Sequence, residues 1–167
     1  FEEMIKTLTG SKYAISMTNG TAALYCCLKA LGVGPGDEVI VPDMTFIATG
    51  NAVIMTGATP ILCDVSSHNL SLSPSRLNSK LSSKTKAIIP VHLYGRACDM
   101  DRIMEIADKY NLVVIEDTAQ GFGAKYNDKM LGTIGDVGTF SFYKTKNIST
   151  FEGGMITIPH HSKLDSE

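Results

Sequence analysis

Apolar residues in this chain gather into short dense runs, at 13–16, 38–41, 59–63, 87–91, 112–115 and 138–142. Most are apolar throughout, without the polar residue at every second position that marks a strand with one wet face. Such runs predict strands covered on both faces. The segments between them carry helical punctuation. Asn19 can cap a helix that runs through Ala22, Leu24 and Leu28 to a stop at Gly32, and Thr45 can cap another that ends near Gly57. Ser73-Pro74 reads as a cap followed by proline at the first helical position. Asp99 opens a segment in which Ile103, Met104, Ile106, Ala107 and Tyr110 share one face.

The serine-rich stretch 66–83 is not low complexity, because Leu70, Leu72, Leu77 and Leu81 punctuate it; it predicts a polar loop followed by an amphipathic helix. Strand and helix alternate along the whole chain. The expected fold is therefore α/β, three-layer α/β/α with a mostly parallel sheet. In such sheets ligands sit at the carboxyl ends of the strands. The unusual residues fall there: Pro42-Asp43, His92, and Glu116-Asp117.

Composition narrows the field. With 167 residues and 44% hydrophobic content, the chain suits one domain with a real core. Fifteen basic against seventeen acidic residues, with no block of like charge, give no electrostatic footprint for nucleic acid. No apolar run approaches the roughly 20 residues of a membrane helix, and FEEMIKTLTG lacks the pattern of a signal peptide. Cys26, Cys27, Cys63 and Cys98 lack the paired spacing of a zinc site, and adjacent cysteines rarely bridge each other. A reduced, cytoplasmic setting and no metal are expected.

Four local features carry chemistry. Gly32-Val33-Gly34-Pro35-Gly36 follows a helix and precedes a strand, the reverse of a dinucleotide fingerprint, and reads as a helix stop and turn. Asn19-Gly20-Thr21 follows a strand and opens a helix, so its N–H groups and hydroxyl can seat an anion such as phosphate; an ordinary helix cap is the other reading. Asp117 closes an apolar run and, if buried, needs a cationic or protonated partner; a solvated loop acid is the alternative. In FSFYKTKN, Lys144 and Lys146 follow aromatic residues. Apolar surroundings would make a neutral, nucleophilic amine available, whereas two lysines snorkelling from a strand end is the bland reading. His92 alone reads as a satisfied core histidine, and His160-His161 as tail.

Seven ordered blocks, NGTAAL, GVGPGDEVIVPDMTFIATGNAV, KAIIPVHLYG, CDMDRIMEIADKY, VVIEDTAQGFGAKY, GTIGDVGTFSFYKTKN and EGGMI, together resemble the DegT/DnrJ/EryC1/StrS family of sugar aminotransferases. The resemblance covers nearly the whole chain. It implies a pyridoxal-phosphate enzyme of the aspartate-aminotransferase fold, with residues 1–167 a partial cofactor-binding large domain and the C-terminal small domain outside them. It implies that Lys146 holds the cofactor aldehyde and moves protons. Gly20, Thr21 and Ser141 would bind its phosphate, Asp117 would pair with the protonated ring nitrogen, Gln120 would lie near the ring, and Phe46 would stack on it. The implied reaction moves an amino group, by family precedent from glutamate, to a nucleotide-linked keto sugar in polysaccharide or amino-sugar biosynthesis, in a homodimer.

The family also contains sugar dehydratases with histidine at the matching position, so Lys146 points to transamination. A fragment that binds cofactor without turnover, and a structural domain that has lost the ligand, are the other readings; pyridoxal phosphate binding and a half-reaction with glutamate separate them. Two departures stand out: Phe151 occupies a position that is usually glycine, and Lys144 one that is commonly proline.

Overall fold

The computed structural model describes residues 1–164. Helices α1 (Glu2–Thr9), α2 (Gly20–Ala30), α3 (Ala48–Met55), α4 (Pro74–Leu77) and α5 (Met100–Tyr110) alternate with strands β1 (Tyr13–Met17), β2 (Glu38–Pro42), β3 (Thr59–Cys63), β4 (Thr85–Ile88) and β5 (Val113–Asp117). A two-residue-strand hairpin follows, β6 (Lys125–Tyr126) and β7 (Lys129–Met130), then β8 (Val137–Ser141) and β9 (Gly154–Ile158). The hairpin turns on Asn127 and Asp128, both at positive φ, as a tight primed turn requires.

Seven strands form one sheet in the order β1-β9-β8-β5-β4-β2-β3. Pairs β8/β5, β5/β4, β4/β2 and β2/β3 are parallel, whereas β9 is antiparallel to both its neighbours. A single reversed strand therefore sits in an otherwise parallel sheet. The central strands β2, β5 and β8 are almost wholly buried, as their mostly apolar runs predict. The edge strands β1 and β3 are not: Tyr13, Ile15 and Leu62 are exposed. Apolar character alone does not distinguish a covered strand from an edge, because strand order sets how many neighbours each has.

One core cluster packs Ala23, Leu24, Leu28, Ala52 and Val53 of α2 and α3 against Val39, Val41 and Ile115. On the opposite face Met100, Ile103 and Ala107 of α5 pack with Leu72, Leu77, Ile88 and Val114. This gives the expected three layers. A smaller cluster joins Ile5 of α1 to Phe140, Phe142 and Met155. Burial on this scale, at about 25 cal/mol per Å² of apolar surface, is the main term holding the layers together.

Several local expectations are corrected. α3 begins after Ile47 and not at Thr45, whose hydroxyl turns instead to Thr49, 2.9 Å away. The amphipathic helix expected within 66–83 is a single turn, α4, without a side-chain cap from Ser73; Leu72 bridges back to Val65 before it. Leu72 and Leu77 are buried all the same, so the leucines fill core from an irregular backbone. His161 is not loose tail, since its Nε2 lies 3.0 Å from the carbonyl of Ile134. α1, β6, β7 and β9 are elements that the apolar runs do not announce.

The four cysteines are free thiols. Burial pushes Cys27 up to about 12 and Cys63 up to about 11, so both serve as inert core fillers. No helix among the described residues is long and apolar enough to cross a membrane.

Candidate active site

Five chain segments converge where β1, β2, β5 and β8 end and the reversed β9 begins. After β1, Asn19 takes an extended conformation and its Oδ1 accepts the Ala22 N–H at 2.8 Å, which starts α2. Helix geometry leaves the N–H groups of Gly20 and Thr21 without intrahelical partners. Gly20 is required by its neighbour, because a Cβ there would lie 2.9 Å from the Cβ of Ser141. A side chain on Gly154 would collide with the Asn19 carbonyl, so the second glycine of EGGMI lets β9 start flush against this turn. Ser141 closes β8 and stays buried, accepting the Tyr143 N–H through Oγ at 3.4 Å.

The chain then turns. Lys146 donates its backbone N–H to the Tyr143 carbonyl at 2.8 Å, and Lys144 and Phe142 are tied to Phe151 and Gly153 on the strand side of the loop. The two lysines separate: Lys146 is half-buried and lines the cavity, whereas exposed Lys144 places its ammonium over the Tyr143 ring at 5.7 Å. The aromatic run ahead of them packs into the core behind the cavity through Phe140 and Phe142. Phe151 keeps a left-handed φ of 68° although it is not glycine, and its ring is 82% exposed. Holding a bulky residue there costs about 1–2 kcal/mol, and the hydrogen bonds flanking the loop hold it.

Asp117, the last residue of β5, is buried. Its Oδ1 accepts the Ala119 N–H at 3.1 Å and its Oδ2 the Thr49 hydroxyl at 2.9 Å. Burial raises its pKa above the ordinary carboxyl value, and the Ala119 N–H, the Thr49 hydroxyl, His92 and Lys146 only partly offset this. A carboxylate so placed gains most from a cationic hydrogen-bond donor facing it.

Glu116 points to the other side of the sheet, as strand alternation requires. Fully buried, it accepts four N–H donors: His92 Nε2 at 2.8 Å, Gly132 at 2.9 Å, and Ile134 and Gly135 at 2.7 Å. Burial raises its pKa, and the His92 ring and the backbone N–H groups outweigh that, so it titrates below the ordinary range. The Cys98 N–H points at His92 Nδ1 at 3.2 Å, so both ring nitrogens have a partner. His92 is thus the satisfied core histidine that the sequence suggests, and the pair pins the loop leading into β8.

Glu116→Gln turns one of those acceptors into a donor facing N–H groups, and we expect it to destabilise the fold by about 3–5 kcal/mol in urea denaturation at neutral pH. Because its folded pKa is depressed, the contribution of Glu116 is present above the ordinary value of 4.5 and is lost as pH falls through the folded pKa. The gap between wild type and variant should therefore shrink in acid. An equal gap at both pH values would contradict the assigned network.

A cavity of about 690 Å³ opens at this convergence, within the usual range for small-molecule sites. Gly20, Thr21, Phe46, Asp117, Gln120, Ser141 and Lys146, the seven residues singled out above, all line it. Phe46 stands at its edge, 66% exposed. Gln120 Oε1 accepts the Tyr94 N–H at 2.9 Å, which leaves its amide N–H₂ as the group available to a ligand. Two residues went unnoticed in the sequence. Thr139 lines the cavity and donates to the Glu116 carbonyl at 3.0 Å; Thr49 holds Asp117 from 68 residues away. Thr139 has no local signature, and the only hint of Thr49 is its helical spacing from Thr45.

Free N–H groups at the start of α2, a half-buried amine and a buried carboxylate around one cavity fit the donor set that pyridoxal 5′-phosphate needs. The sequence profile of the DegT/DnrJ/EryC1/StrS aminotransferase family matches residues 1–165. GDP-perosamine synthase of Caulobacter vibrioides is 51% identical over 157 residues, covering 94% of this chain and 42% of that protein. The X-ray structure of an aminotransferase from Psychrobacter cryohalolentis matches with a TM-score of 0.92 and 48% identity, covering 94% of this chain and 40% of that one. The structure of NtdA from Bacillus subtilis, with bound cofactor PMP, matches with a TM-score of 0.87 and 39% identity, covering 94% of this chain and 35% of that one. The chain thus spans about two fifths of the length of the curated relative, 42%.

Proposed function

This chain belongs to the DegT/DnrJ/EryC1/StrS aminotransferase family, and from that premise we propose that it is the cofactor-holding part of the large domain of a nucleotide-sugar aminotransferase. The observation that carries the proposal is the meeting of Lys146, Asp117 and the Asn19–Thr21 turn around one cavity, from segments that lie far apart in the chain. Pyridoxal 5′-phosphate, when bound, supplies an electrophilic aldehyde and a pyridinium ring that draws electrons from the carbon bearing the substrate nitrogen.

The chain's own residues do the rest. The N–H groups of Gly20 and Thr21, at the positive end of α2, and the Ser141 hydroxyl bind the phosphate. Asp117 accepts the ring N–H, and its burial makes that interaction strong. Lys146 Nζ would hold the aldehyde end of the cofactor and would serve as base and acid at the substrate carbon. Phe46 would pack against the ring, and Gln120 would offer it the amide N–H₂ that Tyr94 leaves free. Glutamate is the amino donor and leaves as the 2-oxo acid, and the ketone of a nucleotide-linked sugar receives the nitrogen. The product amino sugar serves polysaccharide or amino-sugar biosynthesis, in the cytoplasm.

A homodimer is the proposed assembly. Phe46, Ile47, Ile54 and Met55 expose an apolar rim beside the cavity, of the kind that a second subunit covers. The test of the function is transfer of an isotopically labelled glutamate nitrogen to a panel of nucleotide-linked keto sugars, read by mass spectrometry of the sugar. Labelled amino sugar is the expected result. Label retained in glutamate with every ketone, in a protein that binds the cofactor, would refute it.

A further inference from the structure

Asp117 does not choose its own orientation. Its side chain ends a strand, and two donors from different elements seize its two oxygens: the Ala119 N–H on Oδ1 and the Thr49 hydroxyl on Oδ2. Thr49 is buried in the first turn of α3, with its N–H on the Phe46 carbonyl at 3.1 Å. Its Oγ1 is also 2.9 Å from Oγ1 of Thr45. Since the Thr49 proton goes to an acceptor-only carboxylate, Thr45 must be the donor in the second contact. The result is a directed chain, Thr45 to Thr49 to Asp117. It leaves one lone-pair direction on each carboxylate oxygen for a ligand, and it ties the Phe46 segment to the acid.

We propose that Thr49 is a positioning residue for the cofactor ring: its hydroxyl, backed by Thr45, holds the Asp117 carboxylate in the single orientation that receives the ring N–H, and holds Phe46 in register with it. This rests on the role given to Asp117 above. The hydroxyl also favours the ionised form of Asp117, so without it the carboxyl titrates higher. His92 and Lys146 act on Asp117 in the same direction, and Glu116, the neighbouring charge on β5, is occupied on the opposite face. All three are unchanged by a substitution at Thr49, so a difference between variants reads the hydroxyl.

The experiment measures the dissociation constant of pyridoxal 5′-phosphate by equilibrium dialysis across pH for wild type, Thr49→Val, Thr49→Ser and Asp117→Asn, with a thermal melt of each. Thr49→Val keeps the shape and removes the donor. We expect about a tenfold weaker binding at neutral pH and an acid limb displaced upward by about one pH unit. Thr49→Ser should restore both, which a merely space-filling role would not produce. Binding and pH profile unchanged in Thr49→Val, beside a clear loss in Asp117→Asn, would overturn the inference alone. A serine variant as weak as valine would overturn it too. An Asp117→Asn protein that binds like wild type would overturn the role of Asp117 and, with it, this one.

Discussion

Lys146→Ala is expected to lower amino transfer on the order of 10⁴-fold or more, because in the proposed mechanism it removes both the nucleophile that would hold the cofactor and the base that would move the substrate proton. Borohydride reduction of the cofactor-loaded protein, followed by peptide mapping, should label residue 146 in wild type and nothing in the variant. Lys144→Ala should keep both label and turnover. The two lysines are two residues apart and chemically identical, so the contrast tests position alone. Lys146 faces the cavity that holds Asp117, whereas Lys144 lies over the Tyr143 ring outside it. A label on Lys144, or turnover that survives at Lys146→Ala, would invalidate the assignment.

Asp117→Asn should separate function from stability. Asparagine cannot carry the charge that keeps the ring nitrogen protonated, and loss of a preorganised electrostatic partner in a buried site lowers rate by about 10²–10³-fold. The fold should not suffer with it. Burial holds the folded pKa of Asp117 above its ordinary value of 3.8, so its ionisation opposes folding at neutral pH, and that opposition fades as pH falls through the folded pKa. Removing the charge relieves that opposition, and the Thr49 hydroxyl, unlike the backbone N–H groups around Glu116, can turn to accept from the asparagine N–H₂, so the protein stays about as stable near neutral pH. Urea denaturation and the glutamate half-reaction, measured on the same preparation, check both halves. An asparagine variant with normal half-reaction rates, or one that unfolds more easily than wild type, would contradict the argument.

These opposite signs for adjacent carboxylates follow from the pleat. Glu116 and Asp117 look alike in VVIEDTAQ, yet one faces four N–H donors and the other a ligand cavity with two. The first is satisfied by the fold itself. The second is left needing a partner, and that unmet need is what makes it the candidate for a ligand-binding role.

Other features of the site were legible because they are local. Asn19 caps α2 and Asp99 caps α5 through contacts three residues long, and short runs rich in apolar residues mark β2, β5 and β8, whose few polar members are buried with partners. The resemblance to a known family supplied roles that local pattern leaves open, including the preference for Lys146 over Lys144. β9 is not announced by its sequence because it opens on Gly154, a residue that weakens strands; that glycine is there for close contact with the Asn19 turn, more than a hundred residues earlier. α4 is shorter than its leucine spacing predicts, because leucines bury equally well from a bridge and a single turn.

The sequence by itself determined the alternation of strands and helices, the three-layer class, and the residue types that gather at strand ends, since these depend on periods and caps only a few residues long. The tertiary structure alone decided which of them share a cavity: the order β1-β9-β8-β5 sets Gly20 beside Ser141, and the packing of α3 brings Thr49 to Asp117. The reason is physical. Proximity across 68 residues comes from how sheets and helices pack together, which no stretch of chain can express alone.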